Sequence, residues 1–493
     1  MSAADHESVR AAEVERRAGI FAEGRWVETS SGAWGEVVDS ATGKVFAEVE
    51  LAGPAEVDRA ARAARRALPA WSRMPLAERC ELLRRIAARL REEVEELAVL
   101  EAREIGTSVT ENRSDHVLAA ATYLDLLGDL AARVEWEERI EGAVLVREPA
   151  GVIGVIIPWN NPLVMIAMKV GSALVAGCTV VLKASELAPL SAYRFAEIAA
   201  AEGLPPGVLN VLTGLGAVAG EALVASPSVD KISFTGSAAT ARRIGVVAAG
   251  QIKPVVYELG GKSASLVLDD GDLEVAVGSA IWSSLHHNGQ FCLATTRLLV
   301  PASRLAAAEE AIARAVGDAW PVGDPLDDET RIGPLISAAQ KQRVLAYIGE
   351  AEAVGARAVV GGGVAADVPG PGNYVAPTVL SDVTPDMRIA AEEVFGPVLC
   401  LMAYPDGDEE AAIAVANDSV YGLAAGVWSA DEERARRVAA ALDAGTVAIN
   451  GGQWCMAAPC CGRKDSGYGD EGGRQGVEEF LVWKSVVLPA GVV

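Results

Sequence analysis

What most constrains this chain is a succession of short, uninterrupted apolar runs that alternate with helical segments. Residues 152–157 and 179–182 are such runs, and the alternation continues through 208–211, 231–234 and 255–257. Strands without polar alternation are buried on both faces, as in parallel sheets covered by helices. Between and after them lie helical stretches, notably 190–201, and the β–α alternation predicts a doubly wound α/β domain. A second α/β stretch over 265–450 has strands at 297–300, 398–402 and 446–449. Upstream, 27–49 reads as short strands broken by Ser-Ser-Gly and Thr-Gly turns. Leu82, Ile86, Leu90, Val94 and Leu97 recur at helical spacing in one long helix after Pro75, which Gly106 can end. The first 20 or so residues, polar and rich in Ala, Glu and Arg, read as a loose or helical arm.

At 493 residues and roughly 150 per domain, the chain has room for about three domains and a large core. Its formal net charge of −24 repels nucleic acid and anionic membranes, so neither is an expected partner. Residues 1–17 contain no apolar stretch of the signal-peptide kind, and the apolar region 152–182 is interrupted by Pro158, Asn160, Asn161, Pro162 and Lys169. Seven cysteines at scattered spacings do not form a secreted disulfide framework. The cytoplasm is the expected location.

Several groups could carry chemistry, each with a plainer account as a turn, cap or core residue. Cys292 lies in Asn288-Gly289-Gln290-Phe291-Cys292-Leu293, ahead of the strand at 297–300, and a thiolate there would be a strong nucleophile. Cys80, Cys178 and Cys400 sit in apolar-periodic segments and read as core. Glu258 closes an apolar strand before Leu259-Gly260-Gly261-Lys262, a suitable place for a general base. Asn160 follows a buried strand between Pro158 and Pro162; a held amide can stabilise an oxyanion by roughly 3 kcal/mol. The glycines of Thr213-Gly214-Leu215-Gly216, with Gly220, differ from the usual dinucleotide fingerprint. Phe234-Thr235-Gly236-Ser237 leads from a strand into a helix whose N-terminus could bind phosphate. Lys183 and Glu186 end another strand and could bond ribose hydroxyls; the carboxylate would repel a 2′-phosphate, favouring NAD over NADP.

Taken in order, these motifs resemble the aldehyde dehydrogenase superfamily over nearly the whole chain. The resemblance rests on Pro158-Trp159-Asn160, Lys183-Ala184-Ser185-Glu186, Phe234-Thr235-Gly236-Ser237, Glu258-Leu259-Gly260-Gly261-Lys262, Gly289-Gln290-Phe291-Cys292, Glu392-Glu393-Val394-Phe395-Gly396-Pro397 and Gly462-Arg463-Lys464-Asp465-Ser466-Gly467. It implies a Rossmann-type dinucleotide-binding domain over 1–130 and 149–257, rejoined by 459–477. It also implies an α/β catalytic domain over 258–458 and a small β oligomerisation element from 131–148 and 478–493. It implies NAD-dependent oxidation of an aldehyde to the acid: Cys292 as nucleophile, Asn160 with the Cys292 N–H as oxyanion donors, and Glu258 activating the water that hydrolyses the thioester. Lys169 and Glu471 would relay or position that base's proton. Ile157, Trp159, Lys183, Glu186, Gly216, Phe234, Gly236, Ser237, Leu259, Glu393 and Phe395 would hold the cofactor. Relatives that transfer the acyl group to coenzyme A commonly lack the glutamate at Glu258, so hydrolysis is expected here. The alternatives are a semialdehyde dehydrogenase for a charged substrate, with Arg463 as the candidate cation, or a non-catalytic relative keeping the fold.

The sequence departs from the family near the expected substrate tunnel. Asn161, His286 and Cys460 stand where aromatics are common, leaving Met165, Met168, Phe291, Leu293 and Trp454 to complete the lining. Such a pocket is roomy and adaptable, suited to a medium-sized or functionalised apolar aldehyde rather than acetaldehyde. No metal is expected: His286 and His287, adjacent on a helix, would point about 100° apart, without a further histidine or patterned cysteine to join them. Cys455, Cys460 and Cys461 lack metal spacing and read as pocket and loop residues, one of which could form a protective disulfide with Cys292. The alternating segment 132–147 could form a hairpin and 482–488 its partner strand; their apolar edges predict a homodimer or homotetramer.

Overall fold

The computed structural model describes residues 14–489, apart from 367 and 369. Most of the expected N-terminal arm lies outside this range. Where it is described, Glu15–Arg17 is a strand that pairs in parallel with Val45–Glu50, not a loose or helical arm.

Eight strands form the first large sheet, in the order Gly467–Tyr468, Val255–Glu258, Lys231–Thr235, Val152–Ile156, Thr179–Ala184, Leu209–Thr213, Ile20–Ala22 and Arg25–Val27. The five from Val255–Glu258 to Leu209–Thr213 are parallel. Strands contributed by the two ends of the chain close the edges antiparallel. The apolar runs are continuous because both faces are covered: Ile153 and Val155 pack into one core, while Val152 and Ile156 pack into another. The chain leaves Val152–Ile156 first toward Thr179–Ala184 and later returns to its other side, so the sheet reverses winding there. A crevice opens at the carboxyl ends of strands at such a reversal.

The second sheet has seven strands: Arg357–Val360, Thr378–Ser381, Val398–Tyr404, Arg297–Pro301, Ala264–Val267, Ala424–Trp428 and Thr446–Ile449. All are parallel except the edge strand Arg357–Val360. Leu299 packs to one face while Leu298 and Val300 pack to the other. A third sheet joins the hairpin Glu137–Ile140 and Ala143–Pro149 to Leu481–Val487, with seven paired positions between the last two. The C-terminal strand therefore pairs with its own chain's hairpin.

The expected long helix is two, Leu76–Glu92 and Val94–Ile105. At Glu93 the backbone leaves helical geometry; its buried carboxylate is gripped by Arg194 through Nε and Nη2 at 2.8 and 2.7 Å. Apolar spacing runs through this joint because the second helix continues the buried stripe. Gly106, at φ +90°, ends it as expected.

Candidate functional site

Where the first sheet reverses, the strand Val152–Ile156 gives way to Asn160, whose buried Nδ2 donates to the Gln290 carbonyl at 2.9 Å. That bond ties it to the segment carrying Cys292. The helix Leu273–Leu285 stops, and His287, Asn288 and Gly289 follow in left-handed conformation at φ +53°, +56° and +70°. Left-handed backbone costs a residue with a Cβ roughly 1–2 kcal/mol, so neighbours must hold it. Asn288 Nδ2 donates to the carbonyls of Gly106 and Pro334, both at 3.0 Å, and its Oδ1 accepts the Gly333 N–H at 2.8 Å. Gln290 Oε1 accepts from Ile336 N at 3.2 Å. Gly289 packs so closely that a Cβ would lie 2.1 Å from the Gly396 carbonyl.

Cys292 therefore emerges from a braced turn, partly exposed to solvent. Burial, then the carboxylates of Glu393 and Glu258, push its thiol up to about 12, so the resting sulfur carries its proton and needs a base. Glu258, last residue of Val255–Glu258, is buried, and its Oε1 has no protein partner. Burial raises it to about 8 against the attraction of Lys169. A carboxylate with a free oxygen and that affinity for protons suits a general base near neutral pH.

Lys169 is wholly buried in the π-helical turn Ile166–Gly171, and π-turns frequently mark functional sites. Its Nζ donates to Ser233 Oγ at 3.1 Å and to Glu471. Burial lowers the ammonium to about 7, opposed by Glu258, and the Glu471 contact favours the charged form. Glu471 is held beside Cys460 by a two-way backbone bridge. The buried Cys460 thiol is pushed up by burial and then by Glu258 and Cys292, which puts it in the same electrostatic cluster.

Along the carboxyl edge of the sheet, Ile157 N–H donates to the Lys183 carbonyl, and Lys183 Nζ meets Glu186 at 2.9 Å with the Glu186 side chain 34% exposed. Gly216 opens another π-turn, with nothing within 4 Å of where a Cβ would stand. Phe234 is buried against Tyr257, and a Cβ on Gly236 would lie 2.5 Å from its ring. Ser237 caps the twelve-residue helix Ala238–Ala249. Leu259 is buried, its N–H bonded to Ser466. Across the crevice Glu393 accepts the Gly261 N–H at 3.1 Å, and burial raises it to about 7. A Cβ on Gly260 would lie 2.4 Å from Glu393 Oε2 and would displace that carboxylate. Phe395, at φ +61°, sets its ring edge-on to Trp159 at 5.4 Å. An open glycine cradle, a helix N-terminus and a strand-end carboxylate along one sheet edge fit a dinucleotide.

The remaining pocket residues divide. Met168 is buried with its methyl facing Gly472, Met165 is half-buried, and the Asn161 Oδ1 is buried without a partner. Phe291 stacks on the His287 ring at 5.4 Å, and Leu293 is half-buried beyond Cys292. Trp454 is 38% exposed on a loop. Arg463, the candidate cation for a charged substrate, faces Asp443 at 3.7 Å.

The histidine geometry corrects a sequence expectation. His286 and His287 are not on a helix, and their rings converge with Glu111, with ligand-type atoms all within 4.8 Å. A third histidine, His116, bonds His287 at 3.0 Å. Sequence reasoning missed Glu101, Glu111 and His116: the usable signal was that few histidines occur, yet His116 comes from a segment 171 positions away.

A thiol on a braced turn, a buried carboxylate and a tethered amide, gathered at the winding reversal of a dinucleotide-type sheet, define an oxidoreductase that handles carbonyl groups through cysteine. The chain belongs to the aldehyde dehydrogenase family, whose model matches residues 26–486. It is 42% identical to a 3-succinoylsemialdehyde-pyridine dehydrogenase of a Pseudomonas species, covering 95% of this chain and 98% of that one. It is 41% identical to a chloroplastic aminoaldehyde dehydrogenase of Arabidopsis thaliana, covering 95% of each. Among solved structures it is similar to aldehyde dehydrogenase C of Pseudomonas syringae, a cysteine-to-alanine mutant complexed with NAD+ and octanal, with TM-score 0.94 and 41% identity over 96% of this chain and 98% of that one.

Proposed function

We propose that this protein is an NAD-dependent, hydrolytic aldehyde dehydrogenase acting on a medium-sized or functionalised aldehyde. The observation that carries this reading is the tether between Asn160 and the turn bearing Cys292, with the free Glu258 oxygen in the same electrostatic cluster. Cys292, partly exposed, releases its thiol proton to solvent as its sulfur attacks the aldehyde carbon, and the oxyanion accepts hydrogen bonds from the second Asn160 amide N–H and the Cys292 N–H. Bound NAD supplies a hydride acceptor for the tetrahedral carbon, leaving an acyl thioester on the sulfur. Glu258 Oε1 then takes a proton from water, whose oxygen displaces the sulfur and releases the carboxylic acid. Lys169 and Glu471 hold or pass that proton. Lys183, Glu186, Gly216 and Ser237 hold the adenosine and pyrophosphate half of the cofactor; Trp159, Glu393 and Phe395 hold the nicotinamide half. Glu186 disfavours NADP.

The size of the substrate is supported by the half-buried Met165 beside the buried Met168 and by the names of the relatives, which carry a pyridine semialdehyde, an aminoaldehyde or bound octanal. A second reading, an aminoaldehyde, is favoured by Asp115, whose side chain is 46% exposed beside His286. A cytoplasmic homodimer or homotetramer completes the proposal. No helix among the described residues is long and apolar enough to cross a membrane.

The test is NADH formation across a panel of acetaldehyde, longer alkanals, aromatic aldehydes and aminoaldehydes, with NADP in parallel. Turnover abolished in Cys292→Ala while NAD binding persists is expected. Activity surviving that substitution would overturn the mechanism, and acetaldehyde ranking first in kcat/KM would overturn the substrate class.

A further inference from the structure

Beside the turn that bears Cys292, three of the chain's four histidines meet three carboxylates. The π-helical turn Asn112–Leu118 carries Asp115 and His116, with Glu111 just before it, and π-turns frequently mark functional sites. The short turn His286–Gly289 brings His286 and His287 against them. Glu111 Oε1 lies 2.5 Å from His286 Nδ1 and 4.0 Å from His287 Nε2. One ligand-type atom from each of these three residues falls within 4.8 Å of the others. Glu111 Oε1 also accepts the His287 N–H at 2.6 Å, which fixes the carboxylate and still leaves it lone pairs.

The polarity of the hydrogen bonds behind these rings decides which nitrogens face inward with a lone pair. Glu101, on the helix Val94–Ile105, meets His116 Nδ1 at 2.8 Å, both fully shielded from solvent. A carboxylate only accepts, so His116 Nδ1 donates, and a neutral ring that donates at one nitrogen accepts at the other. His116 Nε2 lies 3.0 Å from His287 Nδ1, which is therefore the donor. The His287 lone pair is then on Nε2, the nitrogen that faces Glu111. Two acceptors thus face each other across 4.0 Å, an arrangement that a cation between them satisfies. His286 is turned the same way: Nδ1 faces Glu111, and Asp115 Oδ2 lies 3.9 Å from its Nε2. Metal-ligating histidines are held in this manner, the far nitrogen directed at a carboxylate, here directly for His286 and through His116 for His287. Stacking on Trp282 at 4.4 Å and on Phe291 at 5.4 Å holds the His286 and His287 ring planes.

We infer that Glu111, His286 and His287 form a binding site for a zinc-type divalent transition-metal ion, which clasps the start of Asn112–Leu118 to the turn leading to Cys292. Two imidazoles and a carboxylate are a zinc ligand set that keeps a fourth position for water, and nitrogen ligands select against calcium and magnesium. Zinc bonds of about 2.1 Å in a tetrahedral array set ligand atoms ~3.3 Å apart, so the 2.5 Å separation opens and the 4.0 Å one closes by less than about 1 Å each. The ion takes the place of the proton between His286 Nδ1 and Glu111, which leaves to solvent, while His286 Nε2 keeps its proton facing Asp115. Asp115, its side chain 46% exposed, marks the way in. The site is built from atoms that the proposed reaction does not use, and it stands or falls separately from that reaction.

Calorimetric titration of untagged, chelator-treated, full-length protein with zinc chloride tests it. One ion per chain is expected to bind here, and zinc should raise the melting temperature. His286→Phe keeps a ring against Trp282, and Glu111→Gln keeps an acceptor for the His287 N–H. Each should weaken this binding step about a hundred-fold or more, and Asp115→Asn, at the surface, about ten-fold. No bound ion in wild type, or zinc binding and a zinc-induced melting shift unchanged in His286→Phe, would overturn the inference and leave the cluster a plain ion pair. Should His286→Phe and Glu111→Gln fail to fold, the first equivalent of cobalt(II) added to wild type decides. Visible d–d bands of a nitrogen and oxygen site are expected; a sulfur-to-cobalt charge-transfer band in their place would assign the metal to cysteine and overturn the site. A wild type that binds zinc here yet is silent on every aldehyde would defeat the functional reading alone.

Discussion

At the scale of single residues, the proposed mechanism separates bond formation from hydrolysis. Glu258 has a free oxygen and a proton affinity raised by burial to about 8. Because the base must be unprotonated, steady-state turnover should rise with pH through about 8, provided hydrolysis limits it. Glu258→Gln should retain the first NADH burst but lose turnover by roughly a hundred-fold or more, leaving acyl-enzyme visible by mass spectrometry. The same group affects stability with a definite sign. Between its ordinary 4.5 and about 8, the folded protein holds a proton that the unfolded chain has released, so stability contributed by Glu258 is lost as pH rises through that window. Lys169 works oppositely between about 7 and 10.5. Glu258→Gln should therefore melt above wild type at pH 9, with the difference closing toward pH 5; a difference independent of pH would contradict the buried-carboxyl account. In the proposed function Glu186 governs cofactor selectivity instead. With its side chain one-third exposed beside Lys183, Glu186→Gln should raise the NADP-to-NAD ratio of kcat/KM about ten-fold, the worth of ~1.4 kcal/mol.

At the scale of elements, legibility depended on how local the cause was. The parallel strands were readable as apolar runs because burial on both faces leaves no alternation, and the helix at 190–201 coincides with Leu190–Ala201. The break at Glu93 was invisible, since it depends on Arg194 from another helix while the apolar stripe stays in phase. The turn before Cys292 was misread for a similar reason: left-handed His287 and Asn288 are stabilised by Glu111, Gly106, Gly333 and Pro334, none of them local. Cys292, Glu258 and Asn160 could be found as an ordered set of motifs, whereas His116 carried no local signal. Gly289 shows how tightly this turn is fitted. Gly289→Ala combines a positive φ with a Cβ 2.1 Å from Gly396, and should cost at least about 2 kcal/mol. Thermal unfolding monitored with NADH formation would record a lower melting temperature and lost activity; near-wild-type values would mean the two segments move apart readily.

At the scale of the whole molecule, the third sheet leaves Leu481–Val487 as an edge strand, with Val482, Trp483, Val486 and Val487 exposed by 49, 50, 44 and 80%. A long apolar edge invites pairing. If the proposed homo-oligomer forms through this edge, combined Val486→Lys and Val487→Lys substitutions should lower its sedimentation coefficient at micromolar concentration, and an unchanged value would count against this edge as the subunit contact. A segment from late in the chain also meets the proposed reaction centre. Gly467–Tyr468 covers the outer edge of the strand that ends at Glu258, and Glu471 is the partner of Lys169, which precedes it by 302 positions. On the ribosome the nucleotide sheet can begin to assemble as soon as its own strands emerge, but it must wait with an uncovered edge and an unpaired interior ammonium until residues 467–471 follow. A message cut short before the codons for residues 467–471 would thus yield no weakened enzyme, only a nascent domain whose defect lies at its core and which cellular proteolysis can recognise.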